Sequence, residues 1–505
     1  MNKQRSLGVI LQYVQLALNI LITLAYVPIM LRILGKNEYG IYSLAASVIA
    51  YLNLLSLGFG ASYIRFYSKF KKDNDEASIK RMNGLYLGVF SLMGLISLII
   101  GLILAQNTQI FLNDTYSSEE VSLSKILMAF LAVNVAISFP ASVFTSYVTS
   151  QERFIFQKLL NLGKTVIGPA VNIIVLYLGY GSFGMVVSTT IISLVIDIVN
   201  VYYCIKKLKM KISFKNPDFK LLRDIFVFSI FIAINHVINQ INWQTDKVVL
   251  GKLVNGGAVA VYSVGSQINS LFINFSLAIS SVFAPKVNMI VQENKEDMDR
   301  QLTSLFVRIG RIQWFLLSLI LLGFIFFGQY FIYRWAGKGY ENAYWVALLL
   351  MLPAIVPLSQ NIGIEIQRAK NKHQVRSIAY LIMALINVGI SIVFALLWGE
   401  IGAAFGTTIS LLLADILFMN IYYQTKLGVK VTEYWKSIIK ASFSFIPSIL
   451  FGLIVVKFYS FNSLLDFGIM IVAFSFVYLL SICLFGFNKE EKGIIKNLLR
   501  KNTKR

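Results

Sequence analysis

Asn235, Asn239, Asn242 and Asp246 stand 4, 3 and 4 residues apart inside an apolar run that begins near Leu221. At helical periodicity this spacing draws one polar stripe down one face. His236 and Gln240 flank the stripe and Lys247 closes it. The first apolar run repeats the pattern with Gln12, Gln15, Asn19, Thr23 and Tyr26, spaced 3, 4, 4 and 3. A later run carries Gln267, Ser270 and Asn274 on one face. Amides and hydroxyls both donate and accept hydrogen bonds, which matches the hydroxyls of a sugar. In a helix surrounded by lipid, such a stripe needs something wet or polar opposite it. Either the stripes face each other across a hydrated cavity for a sugar-rich headgroup, or their amides join neighbouring helices.

The charged residues leave similar alternatives. Asp246 and Lys247 either reach substrate or form an interfacial pair. His236, near mid-span, either carries a proton or packs by hydrogen bonding. Lys164 and Asp197 lie about two turns inside neighbouring spans and suit a structural ion pair, with Lys164 meeting a phosphate as the other reading. Asp415 has no evident basic partner in the preceding span. Arg32, Arg65, Arg308 and Arg311 sit near membrane ends, where they either attract an anionic pyrophosphate or snorkel to lipid phosphates.

Enzyme signatures are lacking: there is no phosphate-binding loop, no Gly-x-Ser-x-Gly and no His-Glu-x-x-His. His236 and His373 are the two histidines, and Cys204 and Cys483 lie in or beside apolar runs, so neither a metal site nor a disulfide framework is expected. No stretch between spans approaches the ~50 residues of a small independent domain, which leaves no room for a nucleotide-driven engine. No enzyme activity and no cofactor are expected. H+ and Na+ are the candidate coupling ions.

The elements that carry these residues are transmembrane helices. The 505-residue chain is 57% hydrophobic and 14% charged, far from the quarter charged of soluble proteins. Its apolar runs reach the ~20 residues a helix needs to cross a bilayer. Fourteen spans are expected, from 8–31 to 464–486. The first follows Lys3 and Arg5, lacks a cleavage site and reads as a retained span. With the N-terminus placed inside, 37 of the 46 Lys and Arg fall on cytoplasmic segments. That asymmetry places both termini in the cytoplasm. It also makes the net charge of +22 a matter of topology and anionic lipid, with no nucleic-acid partner.

A repeat sets the architecture. Residues 181–197 and 399–415, offset by 218, agree at seven of seventeen positions, including both Gly-x-x-Gly pairs and the terminal aspartates Asp197 and Asp415. The same offset places the first stripe's span on the second's. The expected fold is an all-α polytopic membrane protein with two pseudo-symmetric six-helix lobes and two extra C-terminal helices. The divisions are an N-lobe at 1–205, a basic cytoplasmic linker at 206–223, a C-lobe at 224–424, two further spans at 425–487 and a basic tail at 488–505.

Pro28-Ile-Met-Leu-Arg32-Ile-Leu-Gly35-Lys-Asn-Glu38-Tyr39-Gly40, then Leu57-Gly58-Phe-Gly60 through Arg65, resembles the start of Wzx-type polysaccharide flippases. These belong to the multidrug/oligosaccharidyl-lipid/polysaccharide exporter superfamily. Thr245-Asp246-Lys247-Val-Val-Leu-Gly251 resembles the start of that family's second half. The resemblance implies a flippase for undecaprenyl-pyrophosphate-linked oligosaccharide in the cytoplasmic membrane, serving capsule, O-antigen or a related surface polymer. A polysaccharide polymerase is then a natural partner. The alternatives are a peptidoglycan lipid-precursor flippase and a multidrug–cation antiporter.

Overall fold

The structure, a computed structural model, describes residues 3–493 apart from 57, 216–217, 281–282, 294–295, 373, 462 and 489–490. His373 and most of the basic tail 488–505 lie outside the described residues. The described chain is helical, with no strand among the described residues.

By packing the chain divides into two units, Met1–Ser263 with Ala384–Gly406, and Val264–Met383 with Thr407–Arg505. The first holds α1 (Lys3–Ala50), α2 (Phe59–Lys72), α3 (Glu76–Gln106), α4 (Ser118–Ser150), α5 (Phe154–Tyr177), α6 (Gly181–Tyr202), α7 (Phe219–Leu253) and the start of α8 (Gly256–Ser280). The second holds the rest of α8, α9 (Ala284–Glu293), α10 (Met298–Trp335), α11 (Ala343–Ser359), α12 (Ile362–Ala369) and the first part of α13 (Gln374–Leu411). After the middle of α13 has run through the first unit, the second continues with α14 (Met419–Lys426), α15 (Val431–Ser442), α16 (Ile446–Phe458) and α17 (Leu464–Ser481). These packing units differ in extent from the halves of the sequence repeat.

Among the described residues nine helical runs are long and apolar enough to cross a membrane, and two bent pairs raise the number to eleven. Two of the nine, Leu11–Lys72 and Gln374–Lys426, are 62 and 53 residues long. Each is far longer than one crossing requires. The first kinks at Gly35 (φ 73°) and the second at Trp398–Gly399. Cut at those kinks and joined by the 25-residue α8, the rods follow the fourteen expected spans. The protein is a multi-pass membrane protein.

Local signals start the helices where the sequence turns polar. Ser117 and Glu120 form a capping box at α4, and Asp218 and Ser463 cap α7 and α17. Asp75 caps α3 and accepts from the Ser78 amide, and hydrogen bonds from the Ser78 hydroxyl and amide hold its carboxyl below the usual value. Along α3, Gly94 and Gly101 bring α4 close: a Cβ would stand 2.5 Å from the Ala136 carbonyl oxygen and 2.3 Å from the Ala132 Cβ. The opposite face of α3 exposes Leu92, Leu95, Ile99 and Leu102, a surface suited to lipid.

The repeat has a backbone counterpart. Gly181 and Gly399 both take a left-handed φ, +56° and +58°. A Cβ on Gly184 would stand 2.4 Å from the Tyr180 Cβ, and one on Gly402 would stand 1.9 Å from the Phe394 carbonyl oxygen. In each copy the first glycine turns the chain and the second admits a close neighbour. The kink at Gly35 also has its counterpart 218 residues on, where α7 ends at Leu253.

The linker after α6 is docked on its own unit. The Ser213 amide donates to the Lys80 carbonyl at 3.0 Å, and Asn83 Nδ2 donates to the Lys211 carbonyl at 2.9 Å. Gly84 leaves room for that strap, since a Cβ there would meet the Ser213 carbonyl oxygen at 2.0 Å.

Candidate substrate-binding site

The stripe of α1 divides into an open part and a bonded part. Gln12 and Asn19 are exposed, and Gln15 and Thr23 are partly so. Tyr26 is engaged: its hydroxyl accepts from Asn172 Nδ2 at 3.4 Å and donates to Met185 Sδ at 3.8 Å. Asn172 in turn accepts from the Ser188 hydroxyl at 2.6 Å. Tyr26 therefore ties α1 to α5 and α6, the helix-joining role of polar groups in a bundle.

Of the α7 stripe and its flanks, Asn235, His236 and Asn239 are exposed and Asn242 is partly buried. Asp246 is only 2% exposed and accepts a hydrogen bond from the Tyr262 hydroxyl. The neighbouring Lys247 is partly buried and acts electrostatically on Asp246. Asp246 is thus a structural anchor between α7 and the start of α8, in place of a solvated rim pair.

Contacts with α7 come from the second arm of α1, beyond Gly35, and from the short 3-10 turn Tyr51–Ser56 that follows it. The Tyr51 and Thr245 hydroxyls are 2.6 Å apart, and Leu44 fills the space left by Gly251. Arg65 is exposed on α2, and its guanidinium lies 4.4 Å from the centre of the Phe228 ring, two turns before Asn235. The structure therefore brings one basic residue of the expected set onto the helix that bears the amide stripe. Arg32 is exposed on α1. In the second unit Gln267 and Asn274 are both partly buried on α8.

The motif around Gly35 is architectural. Glu38 accepts from the Ser182 amide at 2.6 Å, placing a carboxylate at the N-terminus of α6, and Gly40 lies against the backbone of Gly256. Lys252 donates to the Gln109 and Leu112 carbonyls at 3.1 and 2.8 Å.

Several expectations need correction. Lys164 is exposed and acts on Asp197 through space, without a contact ion pair among the described residues. Asp415 does have a basic partner from the preceding span. The Tyr380 hydroxyl donates to it, and Arg376, one turn earlier, stacks on the Tyr380 ring at 4.7 Å and acts on both. Asn420 Nδ2 donates to the Asp415 carbonyl at 3.0 Å, and Asn420 Oδ1 accepts from Trp435 Nε1 at 3.0 Å. Arg376 and Tyr380, at i and i+4, share one helix face, and that spacing is the signal in the sequence for this pairing. Arg311 does not line an open cavity. It is buried in a two-pronged pair with Glu491, at 2.8 and 2.9 Å, and also bonds the Ser437 and Gly486 carbonyls. That partner lies 180 residues away, so no spacing reveals it.

Residues 8–291, more than half of the chain, match the family described as polysaccharide biosynthesis proteins. The chain belongs to this family. A Shigella flexneri protein named as an O-antigen transporter is 19% identical over 412 residues, which covers 80% of this family member and 94% of that protein. A Haloferax volcanii protein named as a low-salt glycan biosynthesis flippase is 23% identical over 225 residues, covering 44% and 46%. Among solved structures, the inward closed form of the lipid II flippase MurJ superposes with a TM-score of 0.74 at 18% identity, covering 95% of this chain and 98% of that one. An inward-facing multidrug resistance MATE transporter of the MOP superfamily gives 0.66 at 15% identity, covering 82% and 98%. The chain shares its fold with these two proteins.

Proposed function

We propose that this family member is a flippase that carries polyprenyl-pyrophosphate-linked oligosaccharide repeat units across the cytoplasmic membrane by alternating access. The observation that carries this reading is the match to the polysaccharide biosynthesis family over residues 8–291, the part that holds both amide stripes. Relatives named for O-antigen transport and glycan flipping support it. Amides at Gln12, Asn19, Asn235 and Asn239 are exposed on α1 and α7 and suit sugar hydroxyls. Gln15 and Asn242 extend the same chemistry on these two helices, Gln267 and Asn274 carry the same side-chain chemistry on α8 of the second unit, and Arg32 and Arg65 supply positive charge for the pyrophosphate. The headgroup rides along these amides while the undecaprenyl tail stays in lipid. Both termini lie in the cytoplasm, on the side where 37 of the 46 Lys and Arg fall. An H+ or Na+ gradient drives the cycle, with His236 a candidate proton carrier. A polysaccharide polymerase takes up the product on the far side.

The test is the double substitution Asn239→Leu with Asn242→Leu, introduced into cells whose own gene is deleted. Surface polymer is expected to fall at least about tenfold, the effect of about 1.4 kcal/mol in transition-state binding, with protein level in the membrane unchanged. Polymer at the wild-type level would assign the stripe to packing. Wild-type protein that exports drug cations, and no polymer, would assign the antiporter activity.

A further inference from the structure

One cleft of the second unit has no part in the site above. It lies between α9 and the first turns of α10 and has a volume of about 340 Å³. That is within the ~300–1,000 Å³ range of small-molecule sites. Ile290 and Leu305, both buried, lie at its floor. Gln301, Ser304, Leu305 and Arg308 reach it from one face of α10, at spacings of 3, 1 and 3. Lys286 from α9 and Arg300 from α10 add two more cations. Asp297 is the one acidic group in the lining, and it accepts from the Gln301 amide at 2.8 Å.

The three cations are not consumed by the fold. Among the described residues, the ion pairs of this unit engage Arg311, Arg368, Lys370 and Lys430, and none involves Lys286, Arg300 or Arg308. Arg311, one turn beyond Arg308, shows the contrast, since a carboxylate and two carbonyls occupy its guanidinium. Three unpaired cations around a concave space focus positive potential and select an anion. Arginine forks favour phosphate oxygens in particular. Asp297, Gln301 and Ser304 add the acceptor, amide and hydroxyl that hydrogen-bond a polyol.

We propose that this cleft binds a phosphate-bearing headgroup, with the phosphate or pyrophosphate on Lys286, Arg300 and Arg308 and the attached polyol on Asp297, Gln301 and Ser304. Two sources offer that chemistry: the glycosyl pyrophosphate of the transported lipid, and phosphatidylglycerol of the surrounding leaflet. The first source rests on the proposed flippase function; the binding itself does not.

The experiment uses the full-length protein in phosphatidylcholine nanodiscs. One arm titrates inorganic pyrophosphate, and the other measures phosphatidylglycerol retained by the protein in native mass spectrometry. Lys286→Gln, Arg300→Gln and Arg308→Gln combined are expected to weaken one or both arms at least tenfold. Loss in the pyrophosphate arm alone assigns the substrate, and loss in the phosphatidylglycerol arm alone assigns membrane lipid. Arg300→Lys with Arg308→Lys keeps the charge but loses the forks, and is expected to weaken binding by less than the triple variant does, which separates charge from folding. Ser304→Trp keeps all three cations, fills the cleft and is expected to weaken binding as the triple variant does. Wild-type binding of both probes by the triple variant, or by Ser304→Trp, overturns the proposal. Failure of the flippase function would appear as absent polymer export by the wild-type protein, with the binding arms unaffected.

Discussion

Asp197 and Asp415 hold the same position in the two copies of the repeat, and each is served by a basic residue from the preceding span. Asp197 is only partly buried, and exposed Lys164 acts on it from a distance. Asp415 is 5% exposed, lies in a π-helical turn at Leu412–Phe418, and is bonded by Tyr380 with Arg376 behind it. The glycines of both copies kept their backbone roles, because a left-handed φ and a close neighbour tolerate few substitutes. The acids diverged, because a carboxylate can be satisfied by several partners. Retention of a motif across the repeat therefore speaks to backbone geometry more than to electrostatics.

That contrast can be broken by substitution, with stability followed as reversible unfolding of the purified protein in detergent. Asp415→Leu leaves the partly buried Arg376 without its counter-charge and Tyr380 without its acceptor, and is expected to cost about 3 kcal/mol, against under about 1 kcal/mol for Asp197→Leu. Equal losses would mean that the two acids do the same structural work. Tyr380→Phe deletes one hydrogen bond to a buried carboxylate and is expected to cost about 1.5 kcal/mol. A loss near zero would show that Arg376 alone satisfies Asp415. Lys164→Gln is expected to stay within about 0.5 kcal/mol of wild type, as for most exposed side chains. A larger loss would mean that Lys164 and Asp197 close a contact pair in the membrane.

The two amide stripes show how much of the site was legible in advance. The spacing of Gln12, Asn19, Asn235 and Asn239 placed them on one face of each helix, and these residues are exposed, as are the apolar Leu21 and Val227 of the same helices. The same spacing could not tell Tyr26 and Asp246 from their neighbours. Those two are committed to Asn172 and Tyr262, on helices whose approach depends on packing. Arg65 against Phe228 was unreadable for the same reason, since 163 residues separate the partners.

Span positions, the repeat and the charge asymmetry were all written in the chain. Each is a local property: hydrophobic length must match the bilayer, glycine must stand where φ is positive, and Lys and Arg must stay on one side. The fate of each charge was decided only by tertiary structure. Arg308 and Arg311 sit one turn apart on α10 and look alike in sequence. One lines the open cleft beside α9, and the other is locked to Glu491, 180 residues away. Burial and pairing follow from which helices pack together, and helix packing is set by the shape of whole faces, beyond what the residue types along one stretch contain.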